Sequence, residues 1–71
     1  MEKDLSKAFY WTERAAEHGD RDGQYNLAWF YDEGIGTEKD VEKAKCWYEK
    51  AARQGHELAA RKCSKGEATN G

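Results

Sequence analysis

Two histidines and two cysteines are the first side chains to consider for metal binding: His18, His56, Cys46 and Cys63. A structural zinc site takes four such ligands, usually with two of them in a close pair such as Cys-x-x-Cys. The four residues form no pair of this kind, so the sequence predicts no metal site and no cofactor. His18 and His56 each lie beside a glycine at an expected helix end, where an imidazole can favour the C-terminal helix dipole.

Cys46 is the one candidate for nucleophilic catalysis. Lys43, Lys45 and Lys50 lie close to it in sequence, and positive charge favours the reactive thiolate. A cysteine nucleophile also needs a base and a group that orients the base, and the sequence shows no such set. We therefore expect no enzyme, and a small cysteine-dependent enzyme is the least favoured alternative.

Phosphate and nucleic-acid binding are also disfavoured. The segment Gly34-Ile35-Gly36 has the glycines of a phosphate loop but lacks a preceding strand, a third glycine and a Gly-Lys-Ser/Thr ending. The 12 basic and 14 acidic residues are interleaved and give a net charge of −2. A basic stripe that could neutralise a nucleic-acid backbone is therefore missing.

The sequence favours a cytoplasmic location with reduced thiols. Its longest apolar stretch is far below the roughly 20 residues that span a bilayer, and Met1-Glu2-Lys3-Asp4 does not begin a signal peptide. Without secretion, Cys46 and Cys63 are expected to stay reduced. For a chain cut from a longer protein, the expected location would not hold.

A repeat of 36 residues organises these side chains. When residues 2–20 are laid on residues 38–56, ten of nineteen positions are identical, including Trp11 with Trp47 and Gly19 with Gly55. Periods between about 20 and 50 residues are typical of stacked supersecondary units. Such units generally build binding surfaces for other molecules.

Helices are the secondary structure that the pattern predicts. Apolar residues recur every three or four positions, proline is absent, and glycines lie at the expected helix ends. The predicted helices cover residues 5–18, 21–33, 41–54 and 56–64, and short loops make neighbours antiparallel. The fold class is therefore all-α. Residues 1–64 form one domain, and residues 65–71 are predicted to be a flexible tail.

The helix ends and buried faces follow from residue type. Asp4, Asp20 and Asp40 are predicted N-caps, and Gly19 is predicted to be left-handed after the first helix. Gly23 is expected to weaken the start of the second helix. The residues expected to face inward are, helix by helix, Leu5, Ala8, Phe9, Trp11, Ala15 and Ala16, then Leu27, Ala28, Phe30 and Tyr31, and, in the fourth helix, Leu58, Ala59 and Cys63.

The pattern resembles the Sel-one-like repeat (SLR) family, a relative of the tetratricopeptide repeats. The motifs that carry the resemblance are Gln24-Tyr25-Asn26-Leu27-Ala28, Gly34-Ile35-Gly36, Lys43-Ala44, Trp47-Tyr48, Lys50-Ala51-Ala52 and Gly55. The resemblance covers about residues 4–63 and implies a short α–α superhelix of about one and a half repeats. Gly23 departs from it, because such repeats usually carry alanine there.

The resemblance implies an adaptor or scaffold that presents a concave helical groove to a peptide or protein. Many members of the family occur in bacterial signalling. The groove-facing positions of tetratricopeptide-type helices correspond here to Tyr25, Asn26, Trp29, Asp32 and Glu33, which predicts an acidic rim suited to basic or amphipathic peptides. Trp29 could instead stack on a neighbouring repeat, Asn26 could be structural, and the carboxylates could form a solvated face. An alternative is a self-associating fragment, because the apolar ends of so short an array could be covered in a homodimer.

Overall fold

The computed structural model describes residues 4–68 and the side chains of residues 4–63. Its four helices are α1 (Leu5–Glu17), α2 (Arg21–Glu33), α3 (Val41–Arg53) and α4 (Glu57–Ala68). Each helix packs on the next one along the chain, so α2 and α3 each lie between two neighbours. The predicted all-α fold with four helices is confirmed within this range.

The helix ends differ from the prediction mainly at α4. His18 and Gln54 are the C-caps of α1 and α3 rather than their last residues, a shift within the usual uncertainty of helix ends. The predicted end of α4 at Ser64 is wrong, because the helix continues to Ala68. Residues 65–68, predicted as tail, are therefore helical, and residues 69–71 of that tail lie outside the described residues.

Two of the three predicted aspartate caps are confirmed. The Asp20 carboxylate accepts the Asp22 backbone N–H at 3.1 Å, and the Asp40 carboxylate accepts the Lys43 backbone N–H at 3.1 Å. The prediction for Asp4 is wrong, because its side chain makes no capping hydrogen bond. The first turn of α1 therefore lacks the side-chain acceptor that α2 and α3 have.

The core is built from small side chains with a few larger ones between them. Its buried apolar residues are Ala16, Leu27, Ala28, Tyr31, Ala44, Tyr48, Ala51 and Ala59. Gln24 is also buried, and its amide nitrogen donates to the Ala16 carbonyl oxygen at 3.2 Å. Its amide oxygen accepts from the Gln54 amide nitrogen at 2.9 Å, which ties α2 to the end of α3. The buried amide is therefore paired through both of its polar atoms.

The outer helices bury less of their apolar residues than the sequence predicts. In α1, Ala16 is buried and Phe9 and Ala15 are half-buried, but Leu5, Ala8 and Trp11 are exposed. In α4, Ala59 is buried, whereas Leu58 is 51% exposed. The predictions for those four exposed residues are wrong because α1 packs mainly on α2 and α4 packs mainly on α3. Three of the six residues predicted to face inward in α1, and one of the three in α4, are therefore not covered by any described helix.

Two glycines allow the helices and loops to approach closely. Gly36 has a φ of +72°, and a Cβ atom there would lie 2.6 Å from the Leu5 carbonyl oxygen. Gly23 is buried where α2 crosses α1, and a Cβ atom there would lie 2.9 Å from the Ala15 Cβ. The departure of Gly23 from the family pattern is therefore explained by a close helix crossing.

Candidate functional site

The five predicted partner-binding residues all lie on α2 and define what we call the α2 surface: Tyr25, Asn26, Trp29, Asp32 and Glu33. Their spacing of three, four, seven and eight residues places them on one side of a helix. The opposite side carries Leu27 and Tyr31, which are buried in the core. Core and candidate site are thus separated on the two sides of the same helix.

Trp29 is the large apolar side chain that this surface exposes. Its exposed fraction is 41%, and its ring lies 5.6 Å from that of Phe30 on the same helix. Asn26 and Glu33 are also exposed, one turn of helix before and after Trp29. An exposed indole flanked by polar groups is a side chain of the type that concentrates binding energy at protein interfaces.

Tyr25 has a structural environment different from that of Trp29. Its ring stacks on His56 with centroids 4.6 Å apart and an interplanar angle of 12°. It also lies 5.6 Å from the ring of Tyr48. Tyr25 is therefore held in place by α3 and by the start of α4, and it can serve as a fixed wall of the surface.

Asp32 and Glu33 give the C-terminal end of α2 an unbalanced negative charge. They occupy the last turn, where no basic residue accompanies them, and the C-terminal end of a helix already carries a partial negative charge. The ion pair found among the described side chains involves neither of them. A cation placed beside these carboxylates would therefore be stabilised by both charges and by the helix dipole.

Tyr48 lies beneath this acidic end. It is 5% exposed, and its hydroxyl group has no hydrogen-bond partner among the described residues. Burial raises the pKa of the Tyr48 phenol well above its usual value, and the nearby carboxylates of Asp32 and, to a smaller extent, Glu33 add to the rise. The phenol therefore stays neutral at physiological pH. The Lys62 ammonium group lies 5.8 Å from the centre of the Tyr48 ring.

His56 joins three helices around the α2 surface, a role that sequence reasoning missed. Its Nε2 lies 3.2 Å from the Asp22 carboxylate, and its Nδ1 accepts the Ala59 backbone N–H at 3.3 Å. A neutral imidazole with its proton on Nε2 satisfies both contacts. The His56 imidazole therefore contacts the first turn of α4. The role predicted for His18 at the C-terminus of α1 stays a prediction. The sequence did contain a sign of this role, because His56 is the repeat equivalent of Asp20, which caps α2.

The residues considered for other chemistry lie apart from one another. Cys46 is exposed on α3, whereas Cys63 is half-buried on α4 and packs against the core. Lys43 and Lys50 place their ammonium groups over the rings of Tyr31 and Trp47, at 5.5 Å in each case. Among the residues that the structure describes, no three His, Cys, Asp or Glu side chains are grouped as metal ligands would be.

The described part of the chain contains no helix long and apolar enough to cross a bilayer.

Comparison with known proteins identifies the repeat. The family model described as Sel1 repeat matches residues 1–20 and 21–56. The crystal structure of a Sel1 repeat protein from Oxalobacter formigenes is 48% identical and superposes with a TM-score of 0.86. The match covers 89% of this chain and 47% of that protein, so the chain spans about half the length of that relative. A search of curated proteins found no significant match.

The family match agrees with the geometry. Sel1 repeats are a type of protein-interaction module, and Sel1 repeat proteins are generally non-enzymatic scaffolds. The 36-residue period, the four antiparallel helices and the small-residue core are all features of such an array. The matched residues make up most of the sequence, and the chain belongs to the Sel1 repeat family.

Proposed function

We propose that this chain binds a basic or amphipathic peptide segment of a partner protein through the α2 surface, and that it acts by binding rather than by catalysis. The observation that carries the proposal is the exposed Trp29 beside the carboxylates of Asp32 and Glu33. The indole supplies apolar contact area, and the acidic end of α2 supplies attraction for lysine or arginine. Neither contribution requires a cofactor.

The charge arrangement favours a basic partner over an acidic one. Asp32 and Glu33 already face the negative end of the α2 dipole, which is unfavourable by about 0.3–1 kcal/mol for each charge near a helix end. A bound lysine or arginine relieves this repulsion, whereas a bound carboxylate increases it. Salt should weaken the interaction, because exposed charges are screened.

Fluorescence anisotropy with labelled synthetic peptides tests this function. The probes are a basic amphipathic helical peptide and a matched peptide in which every lysine is replaced by glutamate. We expect saturable binding of the basic peptide, with an affinity about tenfold lower for Trp29→Ala and for the double variant Asp32→Lys, Glu33→Lys. Glu49→Lys, an exposed change on α3, serves as the control. Equal binding of the two peptides, or equal losses in the control, would show the assignment to be wrong.

Self-association is a second candidate, and the exposed apolar residues at the two ends of the array favour it. Leu5, Tyr10 and Trp11 are exposed on α1, and Leu58 is exposed on α4. Sedimentation velocity over a range of protein concentrations tests it. A homodimer would sediment faster and melt at a higher temperature as the concentration rises, whereas a monomer at all concentrations would dispose of this candidate.

A further inference from the structure

Tyr48 places a buried hydroxyl group beneath the acidic end of the α2 surface. The residue is 5% exposed, and its hydroxyl oxygen has no hydrogen-bond partner among the described residues. We propose that this hydroxyl group and the Asp32 carboxylate form a subsite for the ammonium group of one lysine of the bound peptide, so that the α2 surface prefers lysine to arginine. The inference rests on the function proposed above and names the side chain that the acidic end recognises.

The unpaired hydroxyl group is the first observation behind this subsite. A phenylalanine would fill the same space without it, and leaving a buried polar group unpaired is unfavourable. The repeat equivalent of Tyr48 is Thr12, so the repeat itself does not require a phenol at this position. The hydroxyl oxygen is therefore suited to accept a hydrogen bond from a ligand.

The negative charge beside the hydroxyl group is the second observation. The Asp32 carboxylate and, to a smaller extent, that of Glu33 raise the pKa of the Tyr48 phenol, which places both charges near it. Asp32 is half-buried and Glu33 is exposed. The ring of Tyr25, fixed by its stacking on His56, lies 5.6 Å from that of Tyr48. A cation that contacts Asp32 therefore approaches the hydroxyl oxygen, and the Tyr25 ring offers an apolar wall for its aliphatic chain.

Lys62 shows how an ammonium group is accommodated next to Tyr48. Its side chain is exposed, and its ammonium group lies 5.8 Å from the centre of the Tyr48 ring. Exposed side chains of this kind change rotamer within nanoseconds. Lys62 can therefore move aside for a ligand lysine, which approaches Tyr48 from the same solvent-facing side and reaches the hydroxyl oxygen next to Asp32.

A primary ammonium group suits this subsite better than a guanidinium group. It is compact and has three donors, so one N–H can reach the Tyr48 oxygen while another contacts Asp32. A guanidinium group is a planar fork that pairs best with a carboxylate through two parallel hydrogen bonds. Asp32 or Glu33 can provide that pairing without Tyr48. Arginine therefore gains the attraction of the acidic end but not the buried acceptor.

Two peptides of equal charge test the subsite by fluorescence anisotropy. One is the basic amphipathic peptide of the previous experiment with lysine at every basic position, and the other has arginine at each of those positions. Both are titrated with the full chain at the same ionic strength. We expect the lysine peptide to bind more tightly. Tyr48→Phe should reduce this preference about tenfold by weakening the lysine peptide alone.

A matched control and a second readout make the result specific. Tyr10→Phe removes a phenol hydroxyl group from the exposed side of α1, and it should leave both affinities unchanged. In the parent chain with ¹³Cζ-labelled tyrosine, the Tyr48 signal is assigned through its contacts with the Tyr25 ring. This signal should shift with saturating lysine peptide and stay in place with saturating arginine peptide.

The outcomes separate this inference from the function on which it rests. If both peptides bind but Tyr48→Phe leaves their affinities unchanged, the subsite is wrong and the proposed function stands. Equal weakening of the two peptides by Tyr48→Phe would also overturn the subsite, because the variant would then act through the structure of the surface. If neither peptide binds the parent chain, the proposed function fails and the subsite fails with it.

Discussion

α1 and α3 have nearly the same sequence pattern but different environments. Trp11 and Trp47 are repeat equivalents, yet the first is 64% exposed and the second is packed against the core. Ala8 is exposed, whereas its equivalent Ala44 is buried. The sequence of each helix defines which face is apolar, and the number of neighbouring helices decides whether that face is buried.

This difference is expected for a repeat array. Each unit contacts only its neighbours, so a terminal helix shows the surface that an interior helix conceals. In α3 both sides of the apolar face are covered, by α2 and by α4. In α1 one side is covered, and its open side matches the covered side of α3. The pair therefore allows one residue type to be tested in two environments.

The largest expected difference comes from placing arginine at the two equivalent alanines. Ala44→Arg introduces a long charged side chain between α2 and α3 and should lower the free energy of unfolding by at least about 3 kcal/mol or prevent cooperative unfolding. Ala8→Arg should change it by no more than about 0.5 kcal/mol. Urea denaturation followed by circular dichroism measures both. Similar losses at the two sites would contradict the comparison.

The helix crossing at Gly23 offers a second contrast, with its repeat equivalent Ala59. Gly23→Ala improves helix propensity by about 1 kcal/mol, but its Cβ atom would lie 2.9 Å from that of Ala15. Overpacking of this kind costs about 1–3 kcal/mol, so we expect a net loss of about 1 kcal/mol by urea denaturation. Ala59 shows that the equivalent crossing of α4 on α3 accommodates the methyl group. A gain in stability for Gly23→Ala would contradict this expectation, because it would show that α1 moves away from the added methyl group at little cost in free energy.

The two aspartates at the starts of α1 and α3 should differ by a smaller amount. Asp40→Ala removes a capping hydrogen bond and should lower the free energy of unfolding by about 1 kcal/mol. Asp4→Ala removes no such bond and should lower it by less than about 0.5 kcal/mol. Thermal melts of the two variants at the same protein concentration give the comparison. An equal loss from Asp4→Ala would mean that α1 is capped in solution.

The smallest effect is expected at Tyr48, whose repeat equivalent is Thr12. Tyr48→Phe removes a buried hydroxyl group that has no partner among the described residues, so stability should stay the same or rise by up to about 1 kcal/mol. Because folding raises the pKa of this phenol, the unfolded chain ionises first, and stability falls as the pH rises above about 10. The variant should lose less stability between pH 9 and about pH 11 than the parent chain. A clear loss of stability at pH 7 would show that the hydroxyl group is bonded.

The sequence alone predicted the structural features that depend on the type of a single residue and its immediate neighbours in the chain. Asp20 and Asp40 cap their helices, and Gly19 adopts positive φ after α1, because residue type governs both features. The family resemblance implied the side of α2 that carries Trp29, and helical spacing places that side opposite Leu27 and Tyr31. Binding through that side remains a proposal, since its test is a binding measurement.

The features that sequence missed depend on neighbours. Trp11 and Leu58 have the periodicity of buried residues, but no described helix covers them. His56 lies beside a glycine, and its contacts with Asp22 and Tyr25 appear only once α3 has brought the residue before α4 back to the start of α2. Gly23 was expected to weaken α2, and its close contact with Ala15 became evident from the helix crossing.

The solvent exposure of the three tryptophans tests this account most directly. With 5-fluorotryptophan incorporated and each signal assigned by a Trp→Phe variant, the ¹⁹F shift between H₂O and D₂O reports the exposure of each indole. We predict the largest shift for Trp11, an intermediate shift for Trp29 and the smallest for Trp47, in the order of their exposure. A Trp11 shift as small as that of Trp47 would contradict the account, because the face of α1 would then be covered.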